Sequence, residues 1–454
     1  MGQKLTFNVV TDYGADNTGR DDSTAAIERA IRGLTGHVGA ALYFPSGIYK
    51  IGQPLVIPRS IANEPNRHTA NISIFGDGSD ATTLLFLGDD PTRHGLSTDV
   101  TSFTLRDLKL TTSRFGSVSQ GIIQAQSNDF MDGYQAGSAF LYLGKGNLRV
   151  RDVTFSGFMT GVHINNVSAS QIWINDCNFN NCLIYGLLVE NMAGNAFFER
   201  LEITGMVPGP GSHPSARDSR SVGIRINRGD GFQVSDCLIS GCGKASMMLK
   251  PTRHTPPLAV PEEMFKLVYV YFSNCQFDLP FNANVSEEAP SFGSSVIVDG
   301  SISGSANTNE VEHITRVNFT NCTATAAANN GFYFRGCGRI NLTGCSAFVN
   351  ATHGVRVDHP VVHLSINGGQ YFNNSTANHG THDGIYFGPN VTDFLVANVK
   401  AGLAPGEKQR FGINASSPTN NRYLINNCEA IGYQNGGGIN AQGGPSKVVA
   451  NNLV

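Results

Sequence analysis

The chain has little charge. Asp, Glu, Lys and Arg make up only 15% of its 454 residues, and 32 basic against 35 acidic side chains leave a net charge of −3. An ordinary globular protein carries about 25% charged residues. With no basic stripe, a nucleic-acid partner is not expected. No run of ~18 apolar residues occurs, so no membrane span is expected either. The opening Met1-Gly2-Gln3-Lys4-Leu5-Thr6-Phe7 lacks the apolar core of a secretory signal. Nine cysteines with no Cys-x-x-Cys spacing fit neither a zinc site nor a disulfide framework and read as buried thiols. Disorder is excluded as well, because 40% of the residues are hydrophobic.

Glycine is what the chain has in excess: 52 residues, against roughly 30 at the usual ~7%. Its placement is periodic. Short strand-like segments recur around a small or Cys residue, as in Arg151-Asp152-Val153, Asn175-Asp176-Cys177, Ser235-Asp236-Cys237, Ser273-Asn274-Cys275, Thr320-Asn321-Cys322, Thr343-Gly344-Cys345 and Asn426-Asn427-Cys428. Val153 to Cys177 is 24 residues and Cys322 to Cys345 is 23. A second segment follows each, usually opening with Gly: Gly161, Gly186, Gly223, Gly331, Gly354, Gly384, Gly412 and Gly438 each precede a period-two pattern. Two short strands per ~24 residues, stacked many times, describe an all-β, single-stranded parallel β-helix in which each coil contacts only its neighbours. Ten coils from Leu108 to Cys428, at ~4.8 Å each, give a solenoid roughly 50 Å long. Asn and Gly at the junctions suggest left-handed backbone turns.

Residues 7–58 have a different texture. Asp12-Tyr13-Gly14-Ala15-Asp16 leads to Asp21-Asp22-Ser23-Thr24-Ala25-Ala26-Ile27, with Ile27, Ala30, Ile31 and Leu34 at helical spacing and Asp22 or Ser23 as N-cap. Tyr43-Phe44-Pro45-Ser46-Gly47-Ile48-Tyr49 follows as strand, turn and strand. These three segments, with the repeat, resemble the pectate-lyase superfamily of right-handed parallel β-helices, in the branch that includes phage tailspikes and other polysaccharide-processing enzymes. The resemblance implies a short N-terminal capping helix, with residues 1–58 forming the cap and first strands and 59–454 one continuous β-helix with groove-flanking loops. It also implies a polysaccharide substrate, a homotrimer, and a place on a virion tail or outside the cell. It does not transfer catalytic residues. The motif series of the polygalacturonases is absent, Trp173-Ile174-Asn175-Asp176 is only similar to the Trp-Ile-Asp-His of calcium-dependent pectate lyases, and Asp358-His359-Pro360 is the nearest thing to the epimerase Asp-Pro-His-Glu.

Candidate residues come from strand alternation. Positions one and three after the Gly are apolar and face the core, so positions two and four point outward. Position two reads His163, Leu188, Arg225, Met248, Ile297, Tyr333, Arg356, Tyr386, Asn414, Asn440; position four includes Asn165, Glu190, Asn227, Lys250, Asp299, Arg335 and Asp358. In so charge-poor a chain this is a strip suited to a ligand, with Arg225, Lys250, Tyr333, Arg335, Arg356, His359 and Tyr386 as substrate contacts. Long loops at 205–222, 251–265, 280–294 and 373–383 would wall it. Glycoside hydrolysis needs two carboxyl groups. Asp299 and Asp358 lie two coils apart, about 9.6 Å at ~4.8 Å per coil, near the ~6.5–9.5 Å of an inverting pair. With Arg335 between them they also read as a salt-bridged ladder. His353 beside Asp383 is a candidate general base, and Glu190 would serve another subsite, alone or with Asp218 or Asp230. No cofactor is expected, although His379, His382 and Asp383 offer a possible divalent-cation set. A glycosidase is the first reading. A lyase or uronate epimerase and a non-catalytic glycan-binding fibre are the others.

Overall fold

The computed structural model describes residues 5–61, 64–88, 93–113, 137–166, 171–192, 194–206, 221–251, 266–280, 292–301, 313–402, 406, 408–432, 438–442, 444 and 446–453. Nearly all regular structure is parallel β-strand, with one helix among the described residues, Thr24–Leu34. The helix buries Ala26, Ile27, Ala30, Ile31 and Leu34 along one stripe. Ser23 holds the N-cap position, but its hydroxyl is engaged with the backbone of Asp16. The Asp22 carboxylate instead accepts from the Thr24 N–H at 2.8 Å. The chain forms two compact units, residues 1–213 and 214–454.

Each unit is built from coils that contribute strands to two kinds of sheet. In the first unit the strands Leu55–Ile57, Leu96–Thr98, Ser138–Tyr142, Thr160–Asn166 and Tyr185–Met192 stack in parallel. The other sheet aligns Leu105, Val150, Ile174 and Phe198 as one inward column, all at most 1% exposed. In the second unit, Val296, Phe332, Val355, Ile385 and Ile413 form a fully buried column. Opposite them, Phe272 stacks on Phe319 at 4.7 Å. The apolar side chains alternate with outward ones because successive strand residues face opposite sides. Adding a coil therefore extends the core without widening it.

Two backbone devices hold the repeat. The residue before each small or Cys position is left-handed: Asp176, Asp236, Asn274, Asn321, Gly344, Gly368, Asn398 and Asn427 all have φ between 51° and 73°. Asn, Asp and Gly tolerate that region best, which explains their periodic use. The Gly that opens the second strand has another purpose, since Gly331, Gly354 and Gly384 show no positive φ. A Cβ on any of them would lie 2.6 Å from the carbonyl oxygen of the Gly one coil on. Close backbone approach, not a turn, requires glycine there. All nine cysteines are buried free thiols, several donating to the carbonyl two residues back, as Cys177 does to Asn175 at 3.2 Å.

Candidate functional site

In the second unit the Gly-led strands bring Arg225, Met248, Ile297, Tyr333, Arg356, Tyr386, Asn414 and Asn440 into one register-matched column. It is not a uniformly open strip. Arg225, Met248, Ile297, Tyr333 and Asn414 are at most 2% exposed, so most of the expected ligand face is closed to solvent. Large side chains one coil apart shield one another, and Arg225 spends its Nε on Asn227 Oδ1 at 2.8 Å. Arg225 and Tyr333 therefore support neighbours in this conformation rather than line an open groove. The open part begins at Arg356 and Tyr386, both half-buried.

Asp299 aligns with Arg335 on the next coil, and Asp358 follows Val357, the partner of Phe334. Asp358 is held by Arg356, whose Nε lies 3.2 Å from both carboxylate oxygens, and by the Tyr333 hydroxyl at 3.1 Å. Burial, and next the Asp358 charge, push the Tyr333 phenol far above its usual range, so it remains a donor. Gly388 makes room for the carboxylate, since a Cβ there would sit 3.0 Å from Asp358 Oδ1. Asp299 accepts from the Ser301 N–H and hydroxyl on one oxygen, while Lys250 Nζ approaches the other to 3.6 Å. Asp358 is half-buried and keeps acceptor capacity, whereas Asp299 is only 3% exposed.

Arg335 lies between these two coils, half-buried. Its side chain makes no hydrogen bond or ion pair with any described residue, because Lys250 and Arg356 are the cations that pair with Asp299 and Asp358. The salt-bridged ladder expected through Arg335 is not formed. A charged guanidinium with five donors is left without a partner among the described residues.

His353 and Asp383 come together differently from the general-base expectation. The Asp383 N–H donates to His353 Nδ1 at 3.0 Å, so the basic ring nitrogen is already occupied and the proton of the neutral ring sits on Nε2. Burial, followed by the charges of His382, Arg356 and Arg410, lowers the His353 pKa well below 6.5. The Asp383 side chain is fully buried. Its oxygens accept from Arg410 Nε and Nη2 at 3.0 and 2.8 Å, from the Phe411 N–H at 3.3 Å and from Asn414 Nδ2 at 2.8 Å. Four donors fill its four acceptor sites, which suits an anchor for the loop at 373–383 rather than a proton carrier. That loop presents His382 edge-on to His353 at 5.0 Å, and His353 stacks on Tyr386 at 4.7 Å. His359 bonds the Asn390 carbonyl through Nδ1 at 3.0 Å, at an exposed position. With Asp383 turned to Arg410, the set of His379, His382 and Asp383 does not converge, and among the described residues no three His, Cys, Asp or Glu side chains do. Of the expected walls at 205–222, 251–265 and 280–294, residues 207–220, with Asp218, 252–265 and 281–291 lie outside the described residues.

The first unit has its own outward cluster. The strand Tyr185–Met192 bulges at Glu190, since Val189 pairs with Ile164 but Asn191 with Asn165. The bulge turns the Glu190 carboxylate toward His163 Nε2 at 2.9 Å and Asn165 Nδ2 at 2.8 Å, and Asn191 Nδ2 donates to Asn165 Oδ1 at 2.7 Å. His94 lies close enough that His163, after burial, contributes to pushing its pKa down to about 4. Sequence alternation located His163, Glu190 and Asn414 but not His94 or Arg410.

The arrangement of strands is shared with known proteins. Residues 6–126 match the family described as rhamnogalacturonase A/epimerase, pectate lyase-like. The fold is the pectate-lyase-like right-handed parallel β-helix. The A-module of the mannuronan C-5 epimerase AlgE4 of Azotobacter vinelandii is 15% identical, with 98% of this chain aligned to 99% of that one at a TM-score of 0.52. The Dettilon tailspike protein (gp208) is 11% identical, over 98% of this chain and 68% of that one, at 0.52. The N-terminal fragment of bacteriophage phi29 gene product 12 is 13% identical, over 93% and 66%, at 0.58. No curated protein matches the chain by sequence. No helix among the described residues is long and apolar enough to cross a membrane.

Proposed function

We propose that this protein is a polysaccharide-active enzyme that cleaves a bacterial capsular or exopolysaccharide by hydrolysis, at a site on the outer face of the Gly-led sheet of the second unit. The observation that carries this reading is the trio Asp299, Arg335 and Asp358, in which each carboxylate is held by another cation and the middle guanidinium has no partner among the described residues. Two coil spacings separate the two backbones by about 9.6 Å, near the upper end of the ~6.5–9.5 Å between the carboxyl groups of an inverting pair. Asp358, oriented by Arg356 and Tyr333, accepts the proton of the attacking water, and Asp299, entering the step as the protonated acid, gives its proton to the leaving oxygen. Lys250, Arg335, Arg356 and Tyr386 contact the sugars. Asp383 and His353 hold the adjacent loop, and Glu190 belongs to a separate subsite.

The free guanidinium also favours a second reading. A lyase or uronate epimerase must neutralise the sugar carboxylate before a C5 proton can leave, and Arg335 is available for that. The tailspike and epimerase folds support polysaccharide as the substrate, and the tailspikes support a homotrimer on a virion tail or outside the cell. Incubation with a panel of capsular and exopolysaccharides separates the readings. New reducing ends without ultraviolet absorbance of an unsaturated product indicate hydrolysis, and that absorbance indicates a lyase. Binding with neither product nor epimerisation overturns the enzyme reading.

A further inference from the structure

The one tryptophan of the chain is not in the core. Trp173 sits on the outward side of the strand Gln171–Asn175 in the first unit, on the sheet opposite the Gly-led strands. In register on the next coil is Phe197, whose ring lies 5.8 Å away and only 12° from parallel. On the preceding coil the exposed Arg149 places its guanidinium 5.0 Å above the indole. Three flat groups thus form one column, each half-buried or exposed.

Planar polar side chains border the column on both sides. Gln171 and Asn195 pair in register along one flank, and Arg151, Asn175 and Glu199 along the other. Burying an aromatic side chain completely covers 150–250 Å², so two half-buried rings offer far less than the ~800 Å² per partner of a stable protein interface. Amide, carboxylate and guanidinium groups instead match pairs of adjacent hydroxyls beside a flat apolar face.

We propose that Arg149, Trp173 and Phe197 form a second carbohydrate-binding platform, for a pyranose chain whose hydroxyls are equatorial. Such a ring lays its axial C–H bonds on the outward parts of the rings that the offset stack leaves exposed and turns its hydroxyls to the flanking amides and charges. The platform does not depend on the catalytic reading and uses none of its residues.

Because Trp173 is the only tryptophan, selectively excited tryptophan fluorescence of the full chain reports this site alone. Titration with cellohexaose and with chitohexaose should shift the emission saturably for at least one. Phe197→Ala and, separately, Arg149→Ala should weaken that binding roughly three- to tenfold, with circular dichroism and polysaccharide cleavage unchanged. The proposal is overturned if neither sugar moves the emission, if both variants bind as the wild type does, or if the emission follows protein concentration instead, as a contact between copies would.

Discussion

The two units each present carboxylates on the outward side of a Gly-led sheet, and they treat them oppositely. In the first unit a bulge brings Glu190 into direct contact with His163 and Asn165, a local network closed by Asn191. In the second unit regular register keeps Asp299 and Asp358 on separate coils, each with its own cation, and leaves the Arg335 side chain without a partner among the described residues. The same scaffold thus makes a self-satisfied cluster where register slips and an unsatisfied one where it holds. Asp383 adds a third case, a buried anion with every acceptor site filled. Acceptor capacity, more than residue type, separates candidate chemistry from structure.

The largest expected effect is on turnover. Asp358→Asn and Asp299→Asn should each lower the cleavage rate by about 10²–10⁴-fold, as loss of a general acid or base does, whereas Glu190→Gln should retain most activity. Equal losses at all three would erase the contrast between the units. Asp383→Asn should act on stability instead. Removing one partner of a buried ion pair costs ~3–5 kcal/mol, and the lower end applies because Arg410 keeps solvent access. A lower midpoint in denaturant melts would show it, and a stable but inactive variant would make Asp383 part of the chemistry. Arg335→Ala should raise KM about tenfold or more with little change in the melting temperature, since no protein contact is lost, and Arg335→Lys should recover part of it.

The smallest effect is on the pH dependence of stability. His94, pushed down to about 4 by burial and by His163, and His353, lowered well below 6.5 chiefly by burial, remain neutral when folded. The unfolded chain takes up protons near pH 6.5 and the folded one does not, so stability falls as pH drops from about 6.5 toward 4. Urea titrations at several pH values should show that decline, and His94→Gln should flatten it.

Much of the architecture is written in the repeat. The Asp-Cys and Asn-Cys pairs mark the left-handed bend of each coil, and the Gly-led strands alternate as their residue types imply. The register of the outward column from Arg225 to Asn440 follows directly from that alternation. What alternation cannot reveal is which outward residue remains open. Tyr333 and Arg225 occupy outward positions and are covered, and Arg335 reads as a salt-bridge partner until side-chain reach gives Asp299 to Lys250 and Asp358 to Arg356. The roles of His353 and Asp383 depend on a backbone N–H and on Arg410, 27 residues further along the chain. No local spacing signals such a contact. The Trp173 and Phe197 pair lies on a sheet whose outward side carried no candidate residues, although the isolated tryptophan was a usable signal.

The most direct test is the rate at which Asp358→Asn, beside the wild type, releases reducing ends from a polysaccharide that the wild type cleaves, with melting temperatures measured on the same samples. A loss of at least about a hundredfold at an unchanged melting temperature is the expected result. Equal rates for the two proteins would contradict the assignment of the active centre to this face.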